Sequence, residues 1–176
     1  MVVAFRFIPP DCIRTFWLLA EMPLVKCAER TDTMADTVLV VDDESTIRDL
    51  LNVFLPMKGL KVILAANGEE ALELAKKNVP KVILLDVKMP GIDGLETCRR
   101  LRAEEKTRYT PIILVTGFGA EKVEADDARA DDFISKPFDM EDLALRLKSA
   151  IRIGHLTDPA ERLLTYMDEL DKNRQK

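Results

Sequence analysis

Short apolar runs alternate with amphipathic segments along most of the chain. A continuous run such as Val82–Leu85 is typical of a strand buried on both faces of a parallel sheet, whereas apolar residues repeated every three or four positions predict a helix. The pattern predicts five strands, over Thr37–Val41, Leu60–Ala65, Lys81–Asp86, Pro111–Thr116 and Asp132–Ser135. It predicts five helices, over Ser45–Met57, Glu69–Asn78, Gly94–Glu105, Phe118–Arg129 and a last segment that is opened by Asp139 or Glu141 and runs through Ile151.

This regular alternation predicts an α/β fold. Strands that alternate with helices form a doubly wound parallel sheet with helices on both faces, and right-handed crossovers make that topology the default. In the first predicted helix, we expect Ile47, Leu50, Leu51 and Phe54 to lie on the face that packs on the sheet.

The two ends of the chain differ from this pattern. Residues 1–33 have neither helical nor strand periodicity, and the folded domain is expected to begin near Met34. The first 33 residues are then either a disordered arm or the product of a mis-assigned translation start. Residues 154–176 carry Leu163, Met167 and Leu170 at helical spacing, so they either continue the last helix or form a short separate one.

Composition and charge narrow the classes of protein. The chain has 176 residues, of which 47% are hydrophobic and 32% charged, as in soluble globular proteins, and its net charge of −5 argues weakly against a nucleic-acid surface. The three cysteines match no metal-binding spacing and are interpreted as reduced thiols. No segment approaches the roughly 18 apolar residues of a membrane span, and no export signal is evident. We therefore expect a cytoplasmic protein without a membrane partner.

Polar residues stand where four of the predicted strands end: Asp42 and Asp43, Asp86, Thr116, and Lys136. The carboxyl ends of parallel strands gather at one edge of the sheet, where ligands bind. Clustered carboxylates favour a divalent cation such as Mg²⁺. A carboxylate, a metal, a hydroxyl and an ammonium together suit phosphoryl transfer. Singly, the acids could complement a helix dipole and the lysine could be solvated, but their joint occurrence favours a functional site.

Four stretches that contain these residues, VLVVDDE, VILLDVKMPGIDG, PIILVTG and DDFISKPF, resemble the receiver domain of bacterial two-component response regulators. The resemblance covers residues 36–153. It implies a flavodoxin-like receiver fold with strand order 2-1-3-4-5. It also implies that a histidine kinase or phosphotransfer protein of a phosphorelay donates a phosphoryl group to Asp86.

The same resemblance implies a magnesium site. Asp43, Asp86 and the backbone carbonyl of Lys88 would bind Mg²⁺, and Asp42 would assist through a water molecule.

It also implies roles for the residues around the phosphoryl group. Thr116 and Lys136 would contact the phosphoryl oxygens, and Phe133 matches the aromatic residue whose ring moves inward when the family's members are switched. Lys88 and Phe118 are placed to control the approach of water to the phosphorylated aspartate, so that hydrolysis would be slow.

The sequence departs from the family pattern at three places. The segment from Thr116 to Lys136 is shorter than usual. Arg129 replaces a customary glycine, so a positive φ there would cost roughly 1 kcal/mol. Gly117 replaces a common alanine, and this substitution is expected to loosen the site.

Several functions remain open at this point. The favoured one is a signalling switch that works through protein contacts with a kinase, an unidentified downstream target and, on phosphorylation, a second copy of itself, and that contacts no nucleic acid. An aspartyl-phosphate phosphatase is disfavoured, because Lys88 stands where such enzymes usually carry a second acid. A degenerate receiver that only binds proteins also stays open, as does a receiver cut from a longer regulator.

The expected domain boundary gives a first prediction. Residues 1–33 lack a periodic apolar face, so they cannot bury enough surface to offset the entropy lost on ordering them. A protein that starts at Met34 should therefore melt within about 3 °C of the full chain, a shift that corresponds to about 1 kcal/mol or less. Thermal unfolding followed by circular dichroism measures this, and a large drop in Tm would contradict the boundary.

Overall fold

The structure is a computed structural model, and it describes residues 36–117 and 129–175. All of these residues belong to one unit, Met34–Lys176. The described strands are β1 (Thr37–Val41), β2 (Lys61–Ala65), β3 (Val82–Asp86), β4 (Ile112–Thr116) and β5 (Asp132–Ser135). The described helices are α1 (Ser45–Met57), α2 (Gly68–Asn78), α3 (Gly94–Ala103), α4 (Met140–Ile153) and α5 (Pro159–Arg174).

The five strands form one sheet in the order β2-β1-β3-β4-β5, and every neighbouring pair is parallel. This confirms the predicted fold class and strand order. Because β1 and β4 flank β3 on either side, the middle strand is the most protected, and all five of its residues are buried. The carboxyl ends of β1, β3, β4 and β5 lie along one edge of the sheet.

Helices cover both faces of the sheet, because successive residues of a strand point to opposite sides. In β1, Val38 and Val40 join a cluster with residues of α1, α4 and α5, whereas Leu39 and Val41 join a second cluster with residues of α2 and α3. The apolar runs of the sequence are continuous for this reason, since each strand serves two cores.

Most predicted boundaries lie within two residues of the observed ones, and side-chain caps fix several helix starts. Asp139 caps α4 by accepting hydrogen bonds from the backbone N–H groups of Glu141 and Asp142. Asp93 caps α3 in the same way, through the N–H of Glu96. The helix predicted over Phe118–Arg129 lies outside the described residues except for Arg129 itself.

One core assignment in α1 was wrong. Leu50 was expected to face the sheet, but its side chain is 54% exposed, whereas Leu51 and Leu55 are fully buried. Adjacent helical residues lie about 100° apart around the axis. The buried face is centred between Leu51 and Leu55, so Leu50 falls beyond its edge.

The tail forms a separate helix, α5, which packs on α4. Asp158 caps its first turn and Pro159 begins it, and proline is favoured at this position because no N–H is needed there. Tyr166 and Leu170 are buried in the same core cluster as residues of β1 and β3. The hydroxyl of Tyr166 also donates a hydrogen bond to Asp132, at the start of β5.

Two non-glycine residues among those that the structure describes adopt the left-handed region of backbone space. Strain was predicted for Arg129 if its φ were positive, and the observed φ of 58° meets that condition. Val79 has a φ of 43° at the C-terminus of α2, where glycine is the usual residue. The second case was not anticipated from the sequence.

Cys98 is buried, and its burial raises the pKa of the thiol to about 11. A thiol that stays protonated at neutral pH reacts slowly. Among the residues that the structure describes, no helix is long and apolar enough to cross a bilayer.

Candidate functional site

Two buried acids define the centre of the site. Asp42 directly follows β1 and Asp86 ends β3, and because these strands are parallel neighbours the two side chains lie at the same edge of the sheet. They are only 2% and 4% exposed, whereas the adjacent Asp43 is exposed. One carboxylate oxygen from each of the three lies within 4.8 Å of the other two.

Lys136, which follows β5, brings an ammonium between the two buried acids. Its Nζ lies 2.7 Å from Oδ2 of Asp86 and 2.9 Å from Oδ2 of Asp42, with Glu44 farther away at 3.5 Å. The backbone N–H of Lys136 donates to the carbonyl of Thr116 at 2.7 Å, which ties the end of β5 to the end of β4. Lys136 is therefore held in place through both its backbone and its side chain.

The electrostatics of the cluster follow from its burial. Burial raises the pKa of the Asp86 carboxyl above its ordinary value, although the hydrogen bond from Lys136 acts in the opposite direction. Burial alone would lower the pKa of the Lys136 ammonium, but its hydrogen bonds to Asp86 and Asp42 outweigh this and raise that pKa. Lys136 thus remains charged at neutral pH. One ammonium among three carboxylates leaves an excess of negative charge that favours a cation.

The three carboxylates fit Mg²⁺, which prefers oxygen ligands and retains some of its water. The exposed Asp43 leaves the cluster open to solvent on one side. The backbone of Lys88 lies against the same cluster, since its N–H donates to Oδ1 of Asp86 at 3.2 Å. The structure thus brings together the three acids and the backbone of Lys88, which the resemblance implied as metal ligands; the role of the Lys88 carbonyl stays a prediction.

The remaining predicted site residues lie around this centre. Thr116 ends β4, is 6% exposed, and follows the residue that pairs with Asp86 in the sheet. Phe133 is a partly buried residue of β5 that packs on the core cluster shared with α2 and α3. The side chain of Lys88 is exposed and extends toward Gly117, where an added Cβ would lie 3.6 Å from its Nζ. Phe118 lies outside the described residues.

Two positioning residues were missed by the sequence analysis. Arg48, on α1, donates from Nη1 to the backbone carbonyl of Asp42 at 2.5 Å, which fixes the end of β1. Gly94, the first residue of α3, donates its N–H to the carbonyl of Val87 at 2.9 Å. A Cβ at Gly94 would lie 2.1 Å from the carbonyl oxygen of Asp86, so only glycine fits against this backbone. A glycine in the first turn of a helix after a strand-end acid was the available signal.

Comparisons with known proteins agree with this geometry. The family model of the response regulator receiver domain matches residues 38–148. The chain is 36% identical over 117 residues to the DNA-binding dual master transcriptional regulator RpaA of Synechocystis, in a match that covers 65% of this chain and 48% of RpaA. The chain spans about half the length of the curated relatives it matches.

Solved structures give the same result. The signal receiver domain of a signal transduction histidine kinase from Syntrophus aciditrophicus superposes with a TM-score of 0.65 and 32% identity, covering 70% of this chain and 96% of that one. The receiver domain of sensor histidine kinase PA1611 from Pseudomonas aeruginosa PAO1, which has a magnesium ion coordinated in its active site cleft, matches with a TM-score of 0.63 and 28% identity, covering 67% of this chain and 98% of that one.

The close contact at Gly94 gives a second prediction. Gly94→Ala should destabilise the protein by about 1–3 kcal/mol, because the backbone of Asp86 must shift to admit a methyl group. Gly117→Ala is the matched control, since its Cβ would make only an ordinary contact with Lys88; it should be neutral or stabilising by up to about 1 kcal/mol. Urea denaturation of both variants measures the difference. Equal stabilities would contradict the close-contact argument.

Proposed function

Since the chain belongs to the family of response regulator receiver domains, we propose that it is a phospho-accepting switch, phosphorylated on Asp86 by a histidine kinase or a phosphotransfer protein in the presence of Mg²⁺. The observation that carries the proposal is the ammonium of Lys136 held between Asp86 and Asp42, 2.7 and 2.9 Å away, within a cluster of three carboxylates.

In the proposed reaction, a carboxylate oxygen of Asp86 attacks the phosphorus of a phosphohistidine on the donor. The bond between phosphorus and oxygen forms as the bond between phosphorus and the imidazole nitrogen breaks, and the imidazole leaves with that electron pair. Oδ1 of Asp86 accepts a hydrogen bond from the N–H of Lys88, and Oδ2 accepts one from Lys136. These two contacts orient the carboxylate before the donor arrives.

Charge neutralisation is the main catalytic contribution of the chain. The ammonium of Lys136 can contact an oxygen of the incoming phosphoryl group without leaving the cluster. Because the pKa of Lys136 is raised, this ammonium remains charged and can stabilise the negative charge on that oxygen. Bound Mg²⁺ would supply further positive charge to the phosphoryl oxygens, and Asp42, Asp43, Asp86 and the carbonyl of Lys88 would hold it. A receiver domain related to this chain has magnesium in its active site cleft.

Phosphorylation would be transmitted along β4 and β5. Thr116 is nearly buried at the end of β4, so its hydroxyl can approach a phosphoryl group on the neighbouring β3. Phe133 lies on the adjacent β5 and is only partly buried, which leaves its ring room to move inward. The result would be an altered surface that a downstream protein, or a second phosphorylated copy, recognises.

The proposed switch is not a turnover enzyme. A phosphatase would need a second acid beside the nucleophile to act as general acid and base, and the corresponding position holds Lys88. Without that acid the aspartyl phosphate is retained and lost only slowly. We propose a cytoplasmic location for this activity.

The prediction that the chain contacts no nucleic acid is not favoured by its relatives, since RpaA is a DNA-binding regulator. Because the chain spans about half of that protein's length, a receiver that forms part of a longer transcriptional regulator is the second candidate.

The site assignment gives a third prediction. Acetyl phosphate should add one phosphoryl group to the wild-type chain with Mg²⁺ and none with EDTA, whereas Asp86→Asn should remain unmodified. Intact-mass spectrometry measures the adduct. Asp93→Asn is the matched control, because Asp93 is an acid at the same edge that only caps α3, and asparagine caps equally well. Labelling of Asp86→Asn at the wild-type level would show that the phosphoacceptor lies elsewhere.

The fourth prediction is a long-lived phosphorylated state. Neither Lys88 nor Phe118 is an acid or an amide that could hold a water molecule about 3 Å from phosphorus in line for attack. Lys88→Asn combined with Phe118→Glu should therefore speed hydrolysis roughly tenfold, which corresponds to about 1.4 kcal/mol of barrier. The measurement is the decay of the phosphorylated protein in Mg²⁺ after the donor is removed, with Lys106→Asn as an exposed control. An unchanged decay rate would refute control of water by these side chains.

A further inference from the structure

A groove of about 800 Å³ lies at the edge of the sheet opposite to Asp86. Its walls are the start of α5, the loop before β4 and the residues that precede β5. Because Asp131 and Lys136 stand at opposite ends of β5, the groove and the phosphoacceptor site are separated by roughly 16 Å of extended strand. Its volume is that of a small-molecule site.

Among the residues that the structure describes, four arginines line this groove around a single carboxylate, that of Asp131. They are Arg102, Arg108, Arg129 and Arg162. The whole chain has a net charge of −5, so a groove with four guanidinium groups and one carboxylate is a local exception to the charge of the protein. Such a concentration of positive charge attracts anions.

Two of the four arginines are structural. Arg102 and Arg162 both bind Asp131, at 2.8 and 2.5 Å, and their side chains are only 13% and 10% exposed. Their other N–H groups donate to backbone carbonyls, among them those of Thr110 and Leu156. These contacts hold the walls of the groove in place. Because two guanidinium groups share one carboxylate, one buried positive charge has no carboxylate partner.

The other two arginines lie on the rim and are exposed. Within residues 36–117 and 129–175, neither Arg108 nor Arg129 has a carboxylate within ion-pair distance, so their donors are available to a ligand. The left-handed backbone of Arg129, with a φ of 58°, directs its carbonyl to Arg102, and this hydrogen bond holds the strained residue at the rim.

The groove also has an aromatic and apolar side. Tyr109 is 42% exposed, and the guanidinium carbon of Arg108 lies 5.8 Å from the centre of its ring. Ile153, Pro159 and Leu163 complete the apolar lining. An exposed aromatic ring beside a guanidinium group is a surface on which a planar base can stack.

We propose that this groove binds a nucleotide, with its base against Tyr109 and its phosphates between Arg108 and Arg129. Positive charge alone would suit any anion, but the exposed ring and the apolar lining favour a ligand that combines phosphate with a planar base. The site is separate from the proposed phosphoacceptor, and it requires no metal.

Isothermal titration calorimetry on the full chain tests the proposal, with ATP as the probe and EDTA present so that the acidic cluster cannot contribute through a metal. ATP should bind at one site. Arg108→Ser and Arg129→Asn should each weaken ATP binding roughly tenfold, as expected for the loss of one charge-assisted hydrogen bond. Asparagine is chosen at position 129 because it tolerates a positive φ.

Tripolyphosphate separates a nucleotide site from a simple anion site. Tyr109→Ala should weaken ATP binding roughly tenfold and leave tripolyphosphate binding unchanged; the backbone carbonyl of Tyr109, which accepts from Arg162, is retained. Lys77→Gln, an exposed charge on α2, is the matched control and should bind ATP like the wild type, as should Asp86→Asn. Melting temperatures confirm that each variant is folded.

Three results would overturn the proposal. The first is that ATP does not bind at millimolar concentration. The second is that ATP binds but the arginine variants do not weaken its binding. The third is that tripolyphosphate binds as tightly as ATP and Tyr109→Ala leaves ATP binding unchanged.

Discussion

The ammonium of Lys136 holds together two carboxylates that the fold buries side by side. Parallel pairing of β1 with β3 forces Asp42 and Asp86 to the same edge, and removing each carboxylate from water costs several kcal/mol unless it is paired. Lys136 supplies that pairing at 2.7 and 2.9 Å. The arrangement of β5 beyond β4 is what allows the lysine to reach the acids, so the site depends on the strand order as much as on its residues.

Lys136 neutralises the acidic cluster only in part. One ammonium cannot balance three carboxylates, and Asp43 remains exposed beside the two that are buried. The cluster is therefore paired well enough to be buried, yet it keeps an excess of negative charge. The cluster around Asp131 has the opposite balance, because its single carboxylate accepts from two guanidinium groups, those of Arg102 and Arg162, and from the backbone N–H of Ile112.

The sheet and the acidic cluster could be predicted from the sequence because both depend on local patterns. A strand whose two faces both pack in a core must be continuously apolar. The polar residue that ends such an apolar run must therefore lie at the edge of the sheet. Contacts between distant segments left no such pattern. The approach of Gly94 to the backbone of Asp86, the burial of Tyr166 against α4 and the sharing of Asp131 by two arginines depend on tertiary geometry that periodicity does not encode. The prediction for Leu50 was wrong for a related reason. An apolar residue at the edge of a helical face fits the helical periodicity whether or not another element packs over it.

The folding unit extends beyond the segment that the family model matches, because its core includes residues of α5. The family match ends at residue 148, inside α4, yet Ile153, Tyr166 and Leu170 belong to the same core cluster as Val40 and Leu84 at the centre of the sheet. A fragment excised at the limits of the family would end in the middle of a helix and expose the apolar surface that α5 covers. In this chain α5 is therefore a structural part of the receiver core, and a domain transplanted into another protein would have to include it.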